Sequence, residues 1–254
     1  MMDSSIDDKE VTYEEECRIS INDSHQSLKS RTYLSLQHIQ SAAFFTRSAF
    51  EIEKNYNGVY CEDLYFQHRA YVIGAVLSSV CFLESCINEL FCDSHDYLHD
   101  GNINEQLNNT ELMATMWELG IPKTASFDIT RKYQVALALN SKQLFDPGGQ
   151  PFQDANLLVR LRNALIHYEP HWIKFPISDD YTPNDYHKFQ KQLEGKFVEN
   201  RLTGAGNPFY PDKCLGWGCA DWSVQTSLRF SKEFFSRIEI AVPYDHIRHR
   251  LNTK

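Results

Sequence analysis

Apolar residues recur every three or four positions in three long stretches of this chain, the period of a helix that buries one face. Over 31–54, Leu36, Ile39, Ala43 and Phe50 share a stripe, and Asn57-Gly58 then breaks the helix. Residues 62–92 carry the clearest pattern. Ile73, Val76, Val80, Leu83, Ile87 and Leu90 alternate by three and four, a heptad seam. Gly74, Ala75, Ser78 and Ser79 are small, which leaves room for a neighbouring helix to approach closely. A third stripe, Trp217, Ala220, Val224, Leu228, Phe235 and Ile238, predicts a helix over 214–240.

Between these stretches the pattern is broken. Residues 93–150 predict only short helical pieces near 103–119 and 128–144, closed by the turn "DPGGQP" at 146–151. A helix over 154–168 follows, then a segment, 170–213, rich in Pro, Tyr, Asp and Asn, with one short helix near 183–195. Residues 1–30 hold Asp3, Asp7, Asp8, Glu14 and Glu15 and read as an acidic, flexible leader in which "CRISI" predicts at most a short strand. Residues 241–254, with Arg248, Arg250 and Lys254, read as a basic, solvated tail. Without a run of alternating strands the class is all-α: an up-and-down helical bundle over 31–240, one domain, with long irregular insertions at 93–150 and 170–213.

Composition adds limits. With 254 residues, 42% hydrophobic and 23% charged, the chain is long enough to bury a core without disulfides or metals. A net charge of −9 argues against a broad basic surface that binds nucleic acid by charge alone, but leaves room for a local basic cleft. The seven cysteines are odd in number, form no C-x-x-C pair and fall partly inside apolar helical patterns, which fits a reducing, cytoplasmic setting. No basic-then-apolar leader opens the sequence, and the most apolar run, "AYVIGAVLSSVCFL" at 70–83, is too short to cross a bilayer, so no membrane partner is expected.

The chemistry concentrates in the helix over 154–168. At 100° per residue, Leu158, Leu161, Leu165 and Tyr168 make a buried stripe, and Asn156, Arg160, Asn163 and His167 lie opposite. Amides, a guanidinium and an imidazole stand where a surface helix usually carries Lys and Glu, a lining suited to a cleft that meets an anion. Arg162 points about 140° away from His167 on an ideal helix. The two converge only if the helix ends near His167, if the arginine stem wraps round, or if two copies of the helix face each other. The plain alternative is local: Asn163 and His167 are i,i+4 neighbours, and a histidine near a helix C-terminus is favoured by the dipole.

Other groupings weigh less. Cys92, His95 and His99 give C-x2-H-x3-H beside Asp93 and Asp96, without an evident fourth ligand. His167 and His171 are separated by the helix-breaking Pro170. Glu84 sits inside the heptad helix, facing either a cleft or a local partner. Tyr168, Trp172, Phe175, Tyr181, Tyr186 and Trp217 either stack bases or pin the second insertion to the bundle. No metal or cofactor is implied.

The segment "RLRNALIHYEP", with Arg162-Asn163 and then His167, resembles the signature of the HEPN superfamily of helical-bundle proteins. The helix ending "FLESCINELF" before it and "CADWSVQTSLRFSKEFF" after it are similar in character, so the resemblance covers about half the chain. It implies a homodimer with the signature helices face to face. It also implies a metal-independent endoribonuclease of a toxin, phage-defence or RNA-processing system, or a relative without catalysis that binds RNA, a nucleotide or an antitoxin-like protein. Arg162, Asn163 and His167 would be catalytic, and Arg160, Tyr168 and Glu84 would line the substrate side. Some toxins of the family carry a tyrosine two residues past the histidine; here Tyr168 follows directly and Glu169 holds the second position.

Overall fold

The first two long stripes form an antiparallel helical pair. In the computed structural model, which describes residues 17–22, 27–99, 109–124, 127–170, 189–204 and 206–254, α1 (Leu34–Asn55) and α2 (Glu62–His99) pack along most of their lengths. Glu89 of α2 accepts the Ser35 N–H at one end (2.9 Å), and His68 meets Glu53 at the other (2.9 Å). The small residues of α2 do what their size allows. A Cβ on Gly74 would come within 2.9 Å of the Phe45 ring, so glycine sets this close approach. Val72, Ala75, Val76, Val80, Leu83 and Ile87 are wholly buried.

The helix α2 runs to His99, past the apolar period that predicts an end near 92. Its polar last turns are held by ion pairs instead. Arg31 reaches Asp93 (3.3 Å), Asp96 and the Cys92 thiol, and His95 Nε2 lies 3.4 Å from Glu118. By length and composition α2 is apolar enough to cross a membrane, longer than the run read from sequence, and half of its most apolar window is buried against the protein.

Arg31 closes a two-stranded antiparallel hairpin, β1 (Cys17–Asn22) with β2 (Ser27–Thr32), paired from Cys17↔Thr32 to Asn22↔Ser27. The region read as a flexible leader therefore includes regular structure; its first 16 residues lie outside the described set.

The third stripe is α7 (Trp217–Ile238), which lies against both α1 and α2. Its start sits beside Glu53 and His68 and its middle beside Ser79, so it runs in the same direction as α2. Ser223, Ser227 and Ser231 are fully buried, and each hydroxyl donates to the carbonyl one turn earlier (2.8–3.0 Å). Small side chains whose hydroxyls are satisfied within their own helix keep α7 close to its neighbours; the buried Thr226 hydroxyl, without a partner, is the exception on this helix.

The two insertions contribute to the core. The first supplies α3 (Thr110–Glu118) and α4 (Ile129–Leu139), with Asp128 capping α4 through the Thr130 N–H (2.8 Å). Tyr133 packs edge-on against Phe230 and Phe234 (4.8 and 4.7 Å between centroids), and its hydroxyl donates to the Leu83 carbonyl. The signature helix, α5 (Phe152–Ile166), joins this aromatic cluster through Phe152. In the second insertion the described part includes the short α6 (Gln190–Leu193) and lies against the starts of α2 and α7. Arg69 donates to the Pro211 carbonyl and pairs with Asp212 (2.8 Å). The aromatic residues Trp172, Phe175, Tyr181 and Tyr186 lie outside the described residues.

Residues 241–254 are not a solvated tail. A 3₁₀ helix, Asp245–Arg250, buries Ile247, and Tyr244 and Leu251 are buried beside it. Arg47 holds the carbonyls of Arg250 and Asn252, the Trp217 indole donates to the Thr253 carbonyl, and the Thr253 hydroxyl bonds Asp221 (2.6 Å).

Gly218 tests how tightly the second insertion is packed. A Cβ there would stand 2.3 Å from the Val198 carbonyl oxygen. Gly218→Ala gains helix propensity of about 1 kcal/mol, but a backbone clash of this kind costs about 1–3 kcal/mol. We expect a net fall in melting temperature by circular dichroism, while Ser236→Ala, at an exposed position of α7, leaves it unchanged. An unchanged melt for Gly218→Ala would show that this packing is loose.

Candidate functional site

The turn before α5 is built by Asp146, whose carboxylate accepts the Gly148 N–H (2.9 Å). The helix then buries Phe152, Ala155, Leu157, Leu158 and Leu161, and its buried first-turn Asp154 is paired with Lys196 (2.7 Å). The opposite face is open: Asn156 is half-buried, and Arg160, Asn163 and His167 are exposed, as the stripe analysis predicts.

The helix ends at Ile166. His167 is its C-cap, with φ −102° and ψ 48°, and its N–H donates to the Asn163 carbonyl (2.9 Å). Tyr168 lies beyond the helix and is 47% exposed, with its ring 6.5 Å from that of Tyr210. It is therefore not part of the buried stripe, because 100° steps apply only while the helix continues. Leu165 is half-buried. Ile166, 53% exposed, adds an uncovered apolar side chain beside His167 and Tyr168. Among the described residues no side-chain hydrogen bond joins Asn163 to His167.

Arg162 points elsewhere, as its angular offset requires. Its Nη2 lies 3.7 Å from Glu84 Oε2. The other oxygen of Glu84 accepts from the Lys132 ammonium at 3.3 Å, and Lys132 also donates to Asn88 Oδ1 (3.1 Å). Lys132 is 1% exposed, whereas Glu84 is 41% exposed. One carboxylate thus faces two cations at the junction of α2, α4 and α5, and the buried Nε of Arg162 has no hydrogen-bond partner. Cys81 sits close by. Burial pushes its thiol above the usual range, and the neighbouring Arg162 guanidinium partly offsets that.

No hydrogen bond or ion pair connects Arg162 with His167 among the described residues. Within one chain the signature residues divide in two: Asn163 and His167, with Arg160, on an open face, and Arg162 with Glu84 in a charge cluster. Lys132 was missed from sequence although the signal is present. It falls three residues after Ile129 and four before Ala136, on the buried stripe of α4, where a lysine needs a partner. Asn88, four residues after Glu84, completes the set.

Two of the three candidate zinc residues have other partners, and the side chain of His99 lies outside the described set. Cys92 accepts from Arg31, and His95 contacts Asp96 (3.0 Å) and Glu118. His171 lies outside the described residues, and among those described no group of three or more His, Cys, Asp or Glu is placed to hold a metal. A second titratable pair was not seen in the sequence: His68 and Glu53, both buried, with the Glu53 carboxylate also accepting the Trp217 N–H (2.6 Å).

Comparison of the chain with protein-family models, curated proteins and solved structures finds no match.

The charge cluster makes a testable energetic statement. Glu84→Ala leaves a buried ammonium with Asn88 as its remaining partner, and should destabilise the fold by about 1–3 kcal/mol in urea unfolding. Lys132→Met removes the charge at similar volume, so the double variant should recover much of that loss. Additive effects of the two substitutions would show that the pair is not coupled.

Proposed function

We propose that this chain is a HEPN-like, metal-independent endoribonuclease that acts as a homodimer in the cytoplasm, in a toxin, defence or RNA-processing role. The observation that carries the reading is the open end of α5. Arg160, Asn163 and His167 are exposed there together, beside uncovered Ile166 and Tyr168. Titratable and cationic groups serve RNA, and the apolar pair favours a second copy of the same helix. Six of the seven cysteines, all but Cys17, are free thiols, which supports a reducing setting.

RNA supplies its own nucleophile. In this reading His167 takes the proton of the 2′-OH, the 2′ oxygen attacks phosphorus, and the bond to the 5′ oxygen breaks. The leaving oxygen takes a proton from the second histidine of the dimer. Arg160 shares the His167 face and meets the phosphate charge, and Arg162 contributes where phosphate displaces Glu84 from its guanidinium. The products are a 2′,3′-cyclic phosphate and a 5′-hydroxyl. No step requires a metal.

One observation favours a second reading. Arg162 is engaged by Glu84, and His167 has no orienting partner among the described residues. Such a site suits a non-catalytic HEPN-like protein that binds RNA, a nucleotide or an antitoxin-like partner.

Two measurements decide. His167→Ala should lower RNA cleavage by about 10²–10⁴, with wild-type cleavage insensitive to EDTA and an unchanged melt, since the residue lies outside the core. Wild-type protein that binds RNA without cutting it selects the second reading. Light scattering should give twice the 29.6 kDa chain mass, and Ile166→Arg should shift it toward the monomer. A wild-type monomer at tens of micromolar would remove the dimer from the proposal.

A further inference from the structure

The C-terminal segment, folded onto the bundle, leaves a groove on each side of it. One, with a volume of about 620 Å³, lies against α7 and is lined by Arg229, Lys232, Arg248 and Lys254 over Leu228 and Leu251. The other, about 720 Å³, lies against α1 and is lined by Arg47, His249 and Arg250 beside Phe44 and Phe45. Asn252 and Lys254 line both, so the two grooves adjoin across the segment and together present one basic tract. No Asp or Glu lines either one, in a chain whose net charge is −9.

Part of this charge has structural work. Arg47 holds two carbonyls of the segment, Arg248 pairs with Asp245 at 2.5 Å, and Lys254 lies 5.0 Å from the centre of the Trp217 ring. Arg229 and Lys232 differ. Both are exposed, they stand one turn apart on α7, and neither has an ion pair or hydrogen bond with a described residue. No polar contact within the described residues occupies them. Phe44, at 53% exposure, is an uncovered aromatic ring on the rim of the same tract.

We propose that this tract binds single-stranded nucleic acid, with phosphates on Arg229, Lys232 and Lys254 and a base stacked on Phe44. A single small anion would meet one or two of these cations, whereas a strand follows charge spread over two adjoining grooves. Apolar walls and an exposed ring reward unstacked bases, which a duplex does not offer. The tract is separate from the open end of α5. Leu228 and Lys232 point about 160° away from Phe230 around α7, and Phe230 is the residue that meets Phe152 of α5. The inference uses no residue of the proposed ribonuclease site and holds under either reading of it.

Fluorescence anisotropy with a labelled oligouridylate of about 12 nucleotides tests the tract. We expect binding that weakens steeply between about 50 and 200 mM salt. The double variant Arg229→Glu/Lys232→Glu should weaken it at least about tenfold and flatten the salt dependence, and Phe44→Ala should weaken it by about tenfold. All three substituted residues are exposed, and a thermal melt checks each fold. His167→Ala should retain this binding through the tract whether or not it cuts RNA. The proposal is overturned if the wild type does not bind the strand, or if the double variant binds it unchanged. It is also overturned if duplex RNA binds as tightly with no effect of Phe44→Ala, or if a polyglutamate peptide competes at equal concentration, which would assign the tract to acidic protein segments.

Discussion

The carboxylate of Glu53 joins the three long helices at one point, and the remaining packing depends on that junction. It leaves the last turns of α1 at 4% exposure, receives the Trp217 N–H at the start of α7 and meets His68 Nε2 of α2. A carboxylate this buried is tolerated only with partners in place. The free N–H groups at the start of α7 supply part of that compensation, aided by the helix dipole. Since all three partners must meet within hydrogen-bonding distance, the relative placement of α1, α2 and α7 is fixed there. Trp217 then packs on Phe50 (4.9 Å), and the Gly74 contact and the serine ladder follow along the same helices. The device retains a cost, because the buried Nδ1 of His68 has no partner.

The three long helices were legible because each buries one continuous stripe, and period is what a sequence displays best. The structure departs from that reading where polar residues carry the fold. The end of α2 has no apolar period and is held by Arg31 and Glu118. The terminal segment hides Tyr244, Ile247 and Leu251 among arginines and histidines, so its charge conceals its burial. Lys132 is the reverse case, a charge on a buried stripe whose partner, Glu84, is 48 residues away in sequence and could be identified only in three dimensions.

The α5 region shows both the reach and the limit of the same geometry. An open face with Arg160, Asn163 and His167 was predictable, and so was the divergence of Arg162. The position of Tyr168 was not, because the helix stops two residues earlier than the stripe assumed. Glu84 had two sequence readings, and the structure places it as the shared partner of Lys132 and Arg162. That arrangement gathers two cations on one carboxylate on the side of α5 away from the open face, while the chain as a whole is acidic.

The late position of α7 in the chain has a consequence for synthesis. Ser227 must reach the carbonyl of Ser79, 148 residues earlier. On the ribosome, at about 5–20 residues per second, the α1–α2 pair waits about 7–30 s for the helix that covers it. During that interval α1 and then α3 can cover α2, but the strip of α2 around Ser79 that α7 packs against stays uncovered. A nascent chain with such a face is a client for chaperones that bind apolar segments. Slowing translation between α2 and α7 would lengthen its exposure to aggregation more than any change in the finished fold.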